Sequence, residues 1–315
     1  MANTISYATI LQNSLDKAIL HDLKTGWMDA NAGQVIYHGG NEVKIPQLSM
    51  DALGDYNRNA ATGYVAGDVK FEYKTYSMTQ DRGRKFQIDA MDVDETNFVL
   101  TATTIMSEFQ RTKVVPEIDA YRLSKLATTA IGITGDTNVE YGYTVANSTV
   151  INKIKAGIKT VRENGFNEQL VIMCNFDTLL AIEEAALGKL QAMTFSQAGI
   201  DTQVPQIDGC PIIAVPKNRM YSEITLNDGS TTGQTAGGYA KGTGAFDVNF
   251  LVIPVDVPIG ITKQDVMRIF DPLTNQQANA WSMDYRRYHD LWVLDNKKYG
   301  IFANIKDAKK TGTGN

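Results

Sequence analysis

Three histidines and two cysteines are all the imidazole and thiol chemistry available in this 315-residue sequence. His21, His38 and His289 stand far apart, with no two at ligand spacing, and Cys174 and Cys210 lie in the apolar runs VIMCNF and DGCPII. Neither a zinc site nor a Cys/His dyad can be assembled from such a set, and the cysteines read as buried, reduced thiols. Glu183 and Glu184 are neighbours on a helical stretch, so they point in different directions and cannot act as an acid/base pair. DVDETN (92–97) lacks the glycine and the distal glutamate of a calcium loop, and Asp92 followed by Glu95 reads instead as a capping box. GGYAKGTGAF (237–246) has glycines that could close amides on an anion. Its Lys-Gly-Thr order departs from a phosphate loop, however, and no helix follows it. It supports only a remote alternative, a phosphate- or nucleotide-binding enzyme. No catalytic residue, cofactor or metal ligand is expected, and the chain reads as a non-enzyme.

The basic groups are clustered. Arg82, Arg84 and Lys85 crowd the stretch QDRGRK, and Arg286 and Arg287 fall near the end. With a net charge of -5 and a pI near 5.3, the chain has no basic face of the kind that grips nucleic acid. The clusters read better as electrostatic register with acidic patches on a second copy. Hydrophobic residues make up 43% and charged residues 21%, the proportions of a folded chain with ample material for a core. The start carries no basic segment followed by an apolar one, and no apolar run is long enough to span a membrane.

The elements that position these groups can be read from periodicity. Leu11, Leu15, Ala18, Ile19 and Leu23 form a helical stripe over residues 9–24 that needs something to dock on. Residues 34–48 alternate as strands around a Gly-Gly turn, and 50–68 is a polar, Gly- and Asn-rich loop carrying Tyr56, Arg58 and Tyr64. DVKFEYKTYSMTQDRGRKFQIDA reads as a long hairpin with Phe71 and Tyr73 on one strand, Phe86, Ile88 and Ala90 on the other, and QDRG at the turn. A helix then runs from about 94 to about 130, with Pro116 expected to bend or break it. From residue 148, with Ser148 as its cap, helix and strand alternate in an α/β or α+β arrangement: STVINKIKAGIKTVRENG, QLVIMCN, FDTLLAIEEAALGKL, GCPIIAVPKNRM and FLVIPVDVPIGI. The end, ANAWSMDYRRYHDLWVLDNKKYGIFANIKD, reads as one long strand or as a hairpin around LDNKKYG.

The runs GDYNRNAATGYVAGDV, TQDRGRKFQIDAMDVDETN and EFQRTKVVPEIDAYR resemble the major capsid (coat) proteins of tailed bacteriophages, of the type infecting Gram-positive hosts. The resemblance covers most of residues 45–125, and the later half matches in layout. It implies an α+β fold: an N-terminal arm (1–33), strands joining a peripheral domain (34–49), an extended E-loop with its hairpin (50–92), and a spine helix with the peripheral domain (93–147). An axial domain (148–258) and a return to the peripheral domain with a long terminal strand and frayed tail (259–315) complete it. It further implies self-assembly into hexamers and pentamers of an icosahedral head enclosing double-stranded DNA, in the virion after assembly in the bacterial cytoplasm. A separate scaffolding protein, a portal protein, a decoration protein and weak non-specific contact with DNA are the partners so implied, with no membrane. Tyr56, Arg58, Tyr64, Phe71, Tyr73, Arg82, Arg84 and Lys85 are the expected intersubunit contacts. An encapsulin-like nanocompartment shell shares the architecture and is the alternative.

Overall fold

The computed structural model describes residues 23–34, 36–37, 41–56, 58–59, 63–95, 102–186, 190–197 and 200–309. The stripe of 9–22, with His21 and His38, lies outside them. A 3-10 segment (Gly26–Gln34) leads to strands β1 (Ile36–Tyr37), β2 (Glu42–Met50), β3 (Val69–Ser77) and β4 (Gln80–Asp89). Helices α1 (Ala90–Glu95), α2 (Ala102–Phe109) and α3 (Val115–Ile131) follow, then β5 (Val139–Glu140), α4 (Val150–Glu163), β6 (Leu170–Asn175) and α5 (Phe176–Ala186). Strands β7 (Gln191–Gln197), β8 (Ile200–Ile207), β9 (Cys210–Val215), β10 (Ile224–Leu226), β11 (Tyr239–Lys241) and β12 (Val248–Pro254) come next. The chain closes with β13 (Pro258–Phe270), β14 (Ala280–Val293) and β15 (Phe302–Ile305). Among the described residues the strands form three sheets, β1-β2-β3, β13-β14-β4 and β5-β15-β12-β6-β9-β8-β7, and a separate pair, β10-β11.

The hairpin expected over residues 68–90 does not form, although both of its strands do. β3 pairs with β2, and β4 pairs with β14, with Gln80 opposite His289 and Asp89 opposite Ala280. QDRG is therefore the start of a strand and not a turn. The link is Met78-Thr79, and neither residue favours the positive φ that a two-residue hairpin turn demands. Met78 is buried beside Val43, Ile45 and Trp292, and its N–H donates to Asn41 O at 2.8 Å. The chain thus runs straight on from one sheet into the next. Phe86 and Ile88 do alternate inward, against Met106, Phe109 and Tyr285.

Of the helix expected over about 94–130, residues 96–101 lie outside the described ones, and from Ala102 on it passes Pro116 without a break. Residues 110–114 form a π turn, with the Val115 N–H donating to Gln110 O, and α3 continues from there. Proline lacks an N–H and crowds the carbonyl four residues back, and the wider turn accommodates both effects without a break. Asp92 lies inside α1 and not at its N-terminus. Asp89 Oδ1 accepts the Met91 N–H instead, at 2.9 Å. Ser148 is likewise not a cap, because α4 begins at Val150 behind Thr149.

The seven-stranded sheet is covered on both faces, as the period of two along each strand requires. Val171, Met173, Leu251, Ile253 and Ala303 face Leu123, Leu126 and Ala127 of α3 together with Trp27 and Met28. Ile172, Cys174, Phe250, Val252 and Phe302 face Val150, Ile154 and Ile158 of α4 and Ala181 and Ile182 of α5. β6 and β9 are parallel across α5, whereas the β7–β8 hairpin at the sheet edge was not foreseen. FLVIPVDVPIGI is two strands, not one. The terminal segment also divides: β14 lies in the three-stranded sheet, and β15 inserts between β12 and β5. Gly157 sits where α4 crosses β15, and a Cβ there would lie 2.7 Å from Phe302 Cδ1. Gly157→Ala is expected to lower stability by about 1–3 kcal/mol, read as a shift of the urea midpoint at constant slope.

Candidate assembly surface

β2 and β3 form a two-stranded ribbon in register from Glu42–Ser77 to Met50–Val69. Alternation gives it two faces. On one, Val43 and Ile45 are buried at the root against Ile259, Ile261 and Trp292, but Gln47, Ser49, Lys70 and Glu72 continue that face as polar residues toward the tip. On the other face Pro46, Leu48 and Met50 stand opposite Tyr73, Phe71 and Val69. These outer residues are bare: Leu48 is 52% exposed, Met50 66%, Val69 64%, Phe71 59% and Tyr73 50%. The apolar character of the ribbon changes sides halfway along it. The side that the body covers at the root is thus not the side left uncovered further out.

The tip is organised without strands. Asp51 N–H donates to Asp68 O (3.2 Å), and Asp68 N–H donates to Asp51 Oδ2 (2.8 Å), which closes the loop at its neck. The Tyr56 and Tyr64 rings meet edge to face at 4.9 Å. Gly63, at φ +65°, lets the backbone lie against Tyr56, since a Cβ there would be 2.6 Å from the ring. Among the described residues, nine of the fifteen large exposed hydrophobics fall between Leu48 and Tyr73. Such a concentration marks an interaction surface rather than the scattered apolar residues of an ordinary exterior.

The ribbon is held at its root by polar side chains of α3 and β14. Asp290 is fully buried; its Oδ1 accepts from Tyr121 OH (2.7 Å) and Lys125 Nζ (2.5 Å), and its Oδ2 accepts from the Thr79 N–H (2.9 Å) and hydroxyl (3.0 Å). Burial alone would raise its pKa, but Lys125, Tyr121 and the Thr79 N–H hold the carboxyl below its ordinary range. Glu117 takes Arg82 of β4 in a bidentate pair at 2.6 and 3.0 Å. Asp119 accepts from the Thr25 N–H and hydroxyl and from Arg219, and burial pushes its pKa up against their pull. Arg122, also buried, donates to Thr25 O and to both oxygens of Asp29. Gly260 leaves room for that pair, because a Cβ there would lie 2.7 Å from Asp29 Oδ1.

Among the described residues no three His, Cys, Asp or Glu side chains converge on one point. Cys174 is buried, which pushes its thiol up to about 12, and Cys210 is buried as well. In the glycine-rich stretch 237–246, Gly238 is followed by strand β11, and Lys241 pairs with Asp247.

No protein-family model matches the sequence, and no curated protein does. Solved structures do match. The mature capsid of bacteriophage PhiM1 aligns over 84% of this chain and 82% of its own, with a TM-score of 0.53 at 11% identity. The capsid of cyanophage P-SCSP1u aligns over 85% and 84%, at 0.56 and 12%. A structure from Gordonia phage Cozz aligns over 90% and 87%, at 0.56 and 13%. The fold is that of tailed-phage capsid proteins.

Within this capsid fold, the residues singled out from sequence part into two groups. Tyr56, Arg58, Tyr64, Phe71 and Tyr73 all lie exposed on the ribbon or its tip. Arg82, Arg84 and Lys85 lie on β4 and are engaged inside their own chain. Arg82 bonds to Glu117, Asn227 O and Gly238 O, Arg84 to Thr235 O, and Lys85 to Gln277. Leu48, Met50, Leu53, Val65 and Val69 belong to the bare surface and were missed. The alternation Pro46-Leu48-Met50 was the signal for Leu48 and Met50, and it becomes legible once β2 is paired with β3.

His289, buried beside Asp290, supplies a pH dependence. Burial, then Arg287 and Arg122, lower its pKa well below 6.5, so the folded chain holds it neutral. Below pH 6.5 the unfolded chain takes up a proton that the folded chain refuses. Stability therefore falls with decreasing pH at up to about 1.4 kcal/mol per unit, until the folded pKa is reached. The Asp290 contribution is lost only below its ordinary value of 3.8. Urea midpoints at about pH 7.5 and about pH 5.5 should drop more for the wild type than for His289→Asn.

Proposed function

We propose that the chain is the major capsid protein of a tailed phage, a structural subunit that assembles with copies of itself into the hexamers and pentamers of an icosahedral shell around double-stranded DNA. The observation that carries this reading is the ribbon: a preformed arm with a bare apolar outer face, on a chain with the capsid fold. In these terms the ribbon and its tip, residues 42–77, are the E-loop. α2 and α3 are the spine, β13-β14-β4 the peripheral sheet, and the seven-stranded sheet the core of the axial domain. The E-loop lies on a neighbouring copy through Leu48, Met50, Val69, Phe71 and Tyr73. Burying side chains of this size contributes up to about 1.5–3 kcal/mol each, enough in sum to offset the freedom lost on association.

The acidic balance, a net charge of -5, suits an inner wall that touches packaged DNA weakly and lets it leave. A scaffolding protein, a portal and a decoration protein are the further partners of this reading, and the virion its location, after assembly in the host cytoplasm.

Negative-stain microscopy of the expressed protein, with its scaffold where required, is expected to show shells or capsomers. A Met50→Asp/Phe71→Asp variant should keep the wild-type urea midpoint to within about 0.5 kcal/mol, since both residues are exposed, and yet fail to assemble. Ser49→Asp, on the opposite face, should assemble. A wild type that stays monomeric under every condition, or a Met50→Asp/Phe71→Asp variant that assembles normally, rejects the reading.

A further inference from the structure

Loop 227–238 joins β10 to β11 and is rigid by construction. Asp228 accepts from the Ser230 and Thr231 N–H groups, its own N–H donates to Gln234 Oε1, and the Asn227 N–H donates to Gly238 O across the neck. The root of the loop is fixed to the seven-stranded sheet and the spine. Val248 N–H donates to Met220 O, Lys306 N–H to Asp247 O, and Thr128 Oγ1 to Ser222 O at 2.6 Å. Its outer end is held differently. Arg82 Nη1 donates to Asn227 O (2.9 Å) and Nη2 to Gly238 O (3.3 Å), and both η nitrogens of Arg84 donate to Thr235 O (3.3 Å). A Cβ on Gly229 would come 3.1 Å from Arg84 Nη1, so the loop is shaped around that guanidinium.

Arg82 and Arg84 are two apart on β4 and therefore project from the same face, with Gly83 between them turned onto Tyr285 O. β4 begins two residues after the ribbon ends. Asp290 and the Arg82–Glu117 pair tie this sheet to α3, and the contacts of Arg82 and Arg84 with loop 227–238 add an attachment to a different element of the body. We propose that Arg82, Arg84 and loop 227–238 form an intrachain latch that fixes the angle between the ribbon-bearing sheet and the seven-stranded body, and so sets the curvature at which copies join. The part concerning curvature rests on the shell reading, whereas the latch itself is a property of the single chain.

Two measurements separate them. Hydrogen exchange on the unassembled chain should show the Asn227, Ser230, Thr231 and Gly237 amides exchanging about tenfold faster in Arg84→Ala, and faster still in Arg82→Gln/Arg84→Ala. Amides of β6 and β12 should stay unchanged, which reports an intact core. Arg84→Ala leaves the Arg82–Glu117 pair in place and guards against simple misfolding. Microscopy of assembled protein should then show particles of more than one diameter for Arg84→Ala as well as for the double variant, and one diameter for the wild type. Unchanged loop exchange in both variants overturns the latch, and accelerated exchange with a single wild-type diameter overturns its control of curvature. If the wild type forms no particles while exchange still accelerates, the shell reading fails and the latch stands.

Discussion

The buried carboxylate of Asp290 is the constraint on which the rest of the structure depends. A lone charge inside a protein is strongly disfavoured, so its donors cannot drift away without leaving it unpaired. Those donors come from three places in the chain: Thr79 at the junction between two sheets, Tyr121 and Lys125 on α3, and the strand that carries Asp290 itself. One side chain thereby fixes where the ribbon leaves the body and how α3 lies across the strand. Glu117, Asp119 and Arg122 extend the same logic along the helix, each satisfied by a different segment. A helix whose buried face carries such groups permits one register of its neighbours, where an all-apolar face would tolerate several.

What could be read from the sequence, and what could not, follows from the range of the forces involved. The buried strands LVIMCN and CPIIAV and helices α4 and α5 were legible because their patterns are local. The bare residues Phe71, Tyr73 and Tyr64 were also legible, since aromatic side chains in a polar, glycine-rich setting have nothing local to pack against. Strand pairing was not. β3 and β4 are adjacent in sequence and each has good strand character, so the hairpin was the natural reading, yet their partners lie at residues 42–50 and 280–289. Nothing within twenty residues of Thr79 announces that Asp290 will claim it. The arginines at 82 and 84 were placed at a turn for the same reason, whereas they lie on β4, where they donate to Glu117 and to loop 227–238.

The switch of faces along the ribbon follows from the same pairing. Its root is apolar toward its own body and its outer half is apolar the other way, so no movement of the ribbon as a rigid piece could bury both halves on one surface. Two different surfaces would be required, and among the described residues this chain covers only the root. The closed neck at Asp51 and Asp68 and the paired tyrosines hold the tip in shape beforehand, so less conformational freedom is lost when it docks.

The bond between Thr79 and Asp290 spans 211 positions of the chain. During synthesis the ribbon sequence leaves the ribosome long before the strand that seats its root exists. Contacts this distant in sequence form late, after a large loss of chain entropy. The apolar arm therefore has no fixed direction until nearly the whole polypeptide has been made. A nascent chain carries these exposed apolar residues before the strand that orients their root has been made.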